Sequence, residues 1–180
     1  MATLNDALGT HSEHEPNILN YSGRMLFHGS PNSHIKRLKP SQDGAFGYGV
    51  YLTESPLAAS TYAKRNRGDF RPEPTIYNVK LNDARLVDLK EKNTDLVHSF
   101  GDYLVKRGEA IENDMYKQTG MRLKEQPSLL EVLNSSRCYG DLAKELIDYL
   151  VENGYNGAKF GRTYIIFNPK ILEITKKTRI

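Results

Sequence analysis

A chain of 180 residues supports one hydrophobic core, and its 38% hydrophobic and 26% charged residues match a globular composition. It has no apolar run of about 18 residues to cross a membrane, and its lone cysteine, Cys138, excludes an internal disulfide framework and fits a reducing compartment. The net charge of +3, with a pI near 8.8, permits a polyanionic partner without demanding one.

Residues 1–22 are polar, carry Pro16 and lack the basic-then-apolar pattern of a cleaved leader, so a polar N-terminal arm on a cytoplasmic protein is expected. "RMLFHGS" then reads as a strand, its apolar run Met25–Phe27 ended by Gly29-Ser30-Pro31. "HIKRLKPSQDGAFGYG" is loop-like, and "VYLT" is a short strand. Ser55-Pro56 predicts a helix start, with Leu57, Ala58, Thr61 and Tyr62 as an apolar stripe through Lys64. "KRNRGDFRPEP" is a basic loop, and "TIYNVKLNDARLVDL" reads as one or two strands with a turn at Asn82-Asp83.

Residues 91–135 are mostly helical in composition, with interruptions expected near Gly101, Gly108 and Gly120. Leu142, Leu146, Tyr149 and Leu150 make 138–152 an amphipathic helix, closed by Asn153-Gly154. "YNGAKF" and "TYIIFNPKILEI" are strand-like around a Gly161 turn. Strands at both ends with helices between predict one α+β domain over 23–180, built on a mainly antiparallel split sheet. The N-terminal and C-terminal strands are expected to meet at its middle, with a helical insertion over about 90–135. The five histidines, His11, His14, His28, His34 and His98, show no zinc-ligand spacing with cysteine, so no metal is expected.

The chemistry concentrates in two stretches. His28 ends a strand, and Gly29 leaves its backbone approachable, so a planar carboxamide could be gripped by one donor and one acceptor. Gly47 and Gly49 flank Tyr48, and Tyr51 and Tyr62 lie on a strand and the helix that follows it. If strand and helix pack face to face, the two rings bound a slot for a flat heteroaromatic group.

"LFHGS", "FGYGVYLTESPLAASTYAK" and "GYNGAKFGRTYIIFNPKILEI" together resemble the three blocks of the ADP-ribosyltransferase superfamily. The likeness is to its histidine–tyrosine–glutamate branch, which includes diphtheria toxin and the poly(ADP-ribose) polymerases. Within that branch it is nearest to small bacterial and phage toxin, defence and polyvalent-protein domains. It covers residues 25–30, 46–65 and 154–174 and the strand near 75–81; 90–135 matches no block. The resemblance implies the transferase-type split antiparallel sheet, NAD as co-substrate and transfer of ADP-ribose to a macromolecule with release of nicotinamide. It implies that His28 binds the adenosine-side ribose, that the Gly29 backbone holds the carboxamide, that Ser30 helps position the ribose, and that Tyr51 and Tyr62 stack on nicotinamide. His28, Tyr51 and Thr163 take the catalytic positions.

Thr163 is the departure, because the branch places a glutamate there, just before Tyr164. A threonine can bond a ribose hydroxyl but lacks the carboxylate's charge, a loss on the order of a few kcal/mol at the transition state. Three readings follow: a substitute carboxylate such as Glu54, Glu173 or Asp88; a relative that binds NAD, ADP-ribose or a partner without turnover; or a disarmed toxin. Lys64, Arg65, Arg67 and Arg71 around Phe70 lean the acceptor toward nucleic acid, with protein as the alternative. A neutralising antitoxin partner is implied by the resemblance alone.

Overall fold

The computed structural model describes residues 18–42, 44, 46–65, 72–135 and 141–180, the side chains of 133–135 and 141 excepted. Arg67, Phe70, Arg71, Cys138, His11, His14 and most of the N-terminal arm lie outside them. In chain order the elements are β1 (Ile18–Tyr21), β2 (Arg24–Ser30), β3 (Val50–Thr53), α1 (Pro56–Ala63), β4 (Thr75–Leu81) and β5 (Ala84–Asp88). There follow α2 (Thr94–Ala110), α3 (Asp114–Leu123), α4 (Leu129–Ser135), α5 (Asp141–Glu152), β6 (Gly157–Phe160), β7 (Thr163–Ile166), a short 3-10 turn (Pro169–Ile171) and β8 (Leu172–Arg179). No described helix is long and apolar enough to cross a membrane.

The described strands form one mixed sheet in the order β1-β5-β6-β7-β3-β2-β4-β8, antiparallel except between β5 and β6. β4 and β5 are joined only through Asn82 and Asp83, yet four strands separate them in the sheet. So short a connection forces the sheet to curl. One core fills the inside of the curl: Leu26, Leu52, Tyr77, Val79, Leu81, Leu86, Tyr164 and Ile166. Leu19 and Tyr21 from one edge strand and Leu172 and Ile174 from the other converge on it. The second core lies outside, where α2, α4 and α5 cover Val87, Ala158 and Ile165.

Several expectations are corrected. The N-terminal arm was expected through residue 22, but Ile18–Tyr21 pairs with β5, because Ile18 and Leu19 each reach a core. β1 and β8 are the two edges of the sheet, and β7 is parted from β2 by β3, so the terminal strands do not meet at its middle. Gly101, Gly108 and Gly120 lie within helices and interrupt none. A Cβ on Gly101 would stand 2.7 Å from the Gly120 carbonyl, and one on Gly120 2.5 Å from the Gly101 carbonyl. These glycines let α2 and α3 pack backbone to backbone. The helical segment expected as an insertion forms much of the outer core.

The α1 stripe is corrected too. Leu57 is 78% exposed and Tyr62 51%, whereas Ala59 and Ala63 are buried. A Cβ on Gly29 would overlap the Ala59 carbonyl and come within 2.9 Å of the Ala63 nitrogen. α1 therefore seats its small-residue face on glycine, not its large apolar residues on a core.

Candidate functional site

β2 and β3 touch as strands at one register position, Phe27 opposite Thr53. Beyond it they part, and the His28 side chain bridges the gap: Nδ1 lies 2.9 Å from the Tyr51 carbonyl oxygen. A carbonyl only accepts, so Nδ1 carries a proton. His28 is on the inner face, where its ring lies 6.3 Å from that of Tyr77, its partner across β4.

Tyr51 is on the outer face with Phe46 and Ile165. Its hydroxyl accepts from the Phe46 N–H at 2.9 Å and donates to the Gly47 carbonyl at 2.8 Å. The ring also packs over Gly44, where any Cβ would collide with it. Tyr51 thus fastens the glycine-rich loop to β3. Burial pushes its phenol up, an effect the Phe46 hydrogen bond partly offsets. An apolar crevice lined by Phe46, Ile165, Ala143 and Ile147 opens behind this loop.

Thr163 pairs with Thr53 and Phe160, and is half-buried. Tyr51 faces Ile165, two residues along β7, so Thr163 is its diagonal neighbour on the outer face, about 7 Å away between Cβ atoms. α1 stands over the same face at Gly29. Tyr62, on α1, has the Arg65 guanidinium 4.7 Å from its ring centroid. Tyr51 and Tyr62 are on one side of the sheet without ring contact. The Ser30 hydroxyl accepts from the Asn32 N–H at 3.2 Å and closes the turn after β2. His28, Gly29, Tyr51 and Thr163 thus lie on three adjacent strands, His28 on the inner face and the other three on the outer, while Ser30 and Tyr62 stand at the margins.

The substitute carboxylates separate. Glu54 follows Thr53 but turns to the inner face, where it accepts from the Tyr164 hydroxyl at 2.7 Å and pairs with Arg24 at 2.5 Å. The Tyr164 bond, then Arg24, hold its carboxyl below the usual range. Arg24 lies over the Tyr21 and Tyr164 rings at 5.1 and 5.5 Å. This latch between β2, β3 and β7 escapes sequence reading, because its four members are 21, 24, 54 and 164. Glu173 is on edge strand β8 opposite Lys80, and Asp88 pairs with Lys159 at 3.4 Å on β5. Glu173 is on the outer face but three strands part it from β7, so none of the three stands beside Thr163 and Tyr51. Among the described residues no three potential metal ligands converge.

No protein-family model, curated protein or solved structure matches this chain.

Proposed function

We propose that this chain is a NAD-dependent mono-ADP-ribosyltransferase of the histidine–tyrosine–glutamate type, with threonine at the glutamate position. The carrying observation is the His28 Nδ1–Tyr51 carbonyl contact at the seam where β2 and β3 part. It joins two motifs 23 residues apart where β2 and β3 part. In this reading the sheet, β1 included, is the split sheet of that superfamily, and β1 to β8 make one transferase domain. The nicotinamide ring lies on Tyr51 on the outer face, its carboxamide on the Gly29 backbone. Tyr62 closes over it once Arg65 leaves its ring. His28 is on the opposite, inner face, so in this reading the dinucleotide passes through the seam to bring its adenosine-side ribose to that imidazole.

The nicotinamide–ribose C–N bond breaks, and its electron pair leaves with nicotinamide. A nucleophilic atom of the acceptor then bonds to the ribose C1′ and gives up its proton to water. In this reading the Thr163 hydroxyl bonds the ribose 2′-hydroxyl. A toxin or defence effector with a neutralising protein partner fits this activity, by analogy alone.

Thr163 favours one second reading, NAD binding without turnover, because its strand partners Thr53 and Phe160 offer no carboxylate. The test is incubation with NAD labelled in the ADP-ribose half and, separately, lysate protein, RNA and DNA. Label in one pool is expected, lost in Tyr51→Ala, and raised in Thr163→Glu. NAD that raises the melting temperature while no pool takes label establishes the second reading. NAD that neither stabilises nor labels overturns both.

A further inference from the structure

We propose that the loop after β2 is a cationic rail that brings a single-stranded nucleic-acid acceptor to the His28 seam. The inference rests on the transferase reading for what is done to the strand, and on local structure for its binding.

The loop is pinned to the inner face of the sheet. The Tyr77 hydroxyl donates to the Asn32 carbonyl at 2.7 Å and accepts from the Ile35 N–H at 3.3 Å. Ile35 and Leu38, three residues apart, turn into the inner core. That leaves Lys36, Arg37 and Lys39 exposed, and none of the three has an acidic partner among the described residues. β8 adds two cations on the same face: Lys177, opposite Tyr77, donates to the Ser33 carbonyl at 3.2 Å, and Arg179 pairs with Glu73 at 3.1 Å. Glu73 takes the Ser33 hydroxyl and lies 3.5 Å from His34, so among the described residues it is the carboxylate that Arg179 and Lys177 face.

The rail leads to the inner side of the seam, from which the nucleic-acid strand meets the sugar through the gap between β2 and β3. His28, Tyr77 and Lys177 form one row across β2, β4 and β8. At neighbouring-strand spacing, Lys177 is about 10 Å from His28. At its other end the loop returns through the Ser41–Gly49 bridge to β3, and there Tyr48 is 42% exposed. Exposed cations along a loop that ends at an exposed aromatic ring suit a flexible phosphate backbone with unstacked bases, more than a folded protein or a rigid duplex.

The test measures anisotropy of labelled 12-nucleotide RNA and DNA strands and of a duplex, on the full chain without NAD. Single strands are expected to bind more tightly than the duplex. Their affinity should fall roughly 50-fold between about 50 and 200 mM salt, as for about four neutralised phosphates. The triple variant Lys36→Glu, Arg37→Glu, Lys39→Glu keeps Ile35 and Leu38, and should lose at least about tenfold. Lys106→Glu with Arg122→Glu, the same chemistry on α2 and α3, should lose little. Absent binding, equal losses in both variants, or a triple variant that loses NAD stabilisation and keeps strand binding overturns the rail. If NAD stabilises the chain and strands do not bind, only the acceptor class fails. If strands bind at the rail and NAD does not bind, the transferase reading fails and the rail stands.

Discussion

At the residue scale, the contrast between Thr53 and Glu54 shows how strand parity sends a carboxylate away from Thr163. Adjacent in sequence, they face opposite sides of the sheet: Thr53 beside Thr163, Glu54 beneath Tyr164. Glu54 is therefore a latch residue of the inner core. Glu54→Gln should cost about 1–2 kcal/mol at pH 7, since the buried Tyr164 hydroxyl and Arg24 lose a charged partner. The folded carboxyl titrates below its unfolded value, so its contribution is present above the unfolded value and lost as pH falls through the folded one. The gap in melting temperature between wild type and Glu54→Gln should thus narrow on acidification from pH 7, with the NAD response unchanged. A gap that stays constant down to pH 3.5 would show that the latch is not electrostatic. His28, Gly29, Tyr51 and Thr163 were legible as candidates because local motifs carry each one. The facing of Glu54 was not, because only strand parity with β7 fixes it.

At the element scale, α1 shows how a helix can be found and its buried face mistaken. Ser55 caps it, accepting from the Ala58 N–H at 3.2 Å, with Pro56 in the first turn, as its sequence suggests. Periodicity then points to Leu57 and Tyr62, the large apolar residues, yet these face solvent. Burial went to Ala59 and Ala63, because β2 offers glycine at the contact and only small side chains let the two backbones approach. Gly29→Ala should force the helix off the strand, at about 3 kcal/mol. For a chain of this size that lowers the melting temperature by roughly 10 °C. Far-ultraviolet circular dichroism on heating measures it. An unchanged midpoint would mean that α1 is not seated there, and would remove Tyr62 from the outer face with it. The α2–α3 hairpin repeats the lesson: its glycines read as breaks, but serve helix contact, and no single-helix pattern announces the partner.

For the whole molecule, alternation along each strand identified the strands but not their neighbours, which depend on pairings distant in sequence. The class, α+β with a mainly antiparallel sheet, followed from the strands alone; the curl and the edge positions of β1 and β8 did not. The curl gathers tyrosines into two cores. Burial raises the phenols of Tyr51, Tyr77, Tyr149 and Tyr155 above their ordinary value. Tyr164 is raised by burial and then by its bond to Glu54, and Tyr103 is pushed up to about 12 by burial and then by donating to Glu145 at 3.1 Å. In the unfolded chain these groups ionise near pH 10, while the folded chain keeps their protons. Between about pH 10 and 12 the folded state binds more protons than the unfolded one, so stability must fall as pH rises. It is fully present below pH 10 and lost as each folded value is passed. The melting temperature should therefore hold from pH 7 to about 9 and drop steadily by pH 11, with a shallower slope in Tyr103→Phe, which has no phenol to ionise. Equal melting temperatures at pH 9 and 11 would mean that the phenols are not buried as the curled sheet requires, and the two-core packing would fall with them.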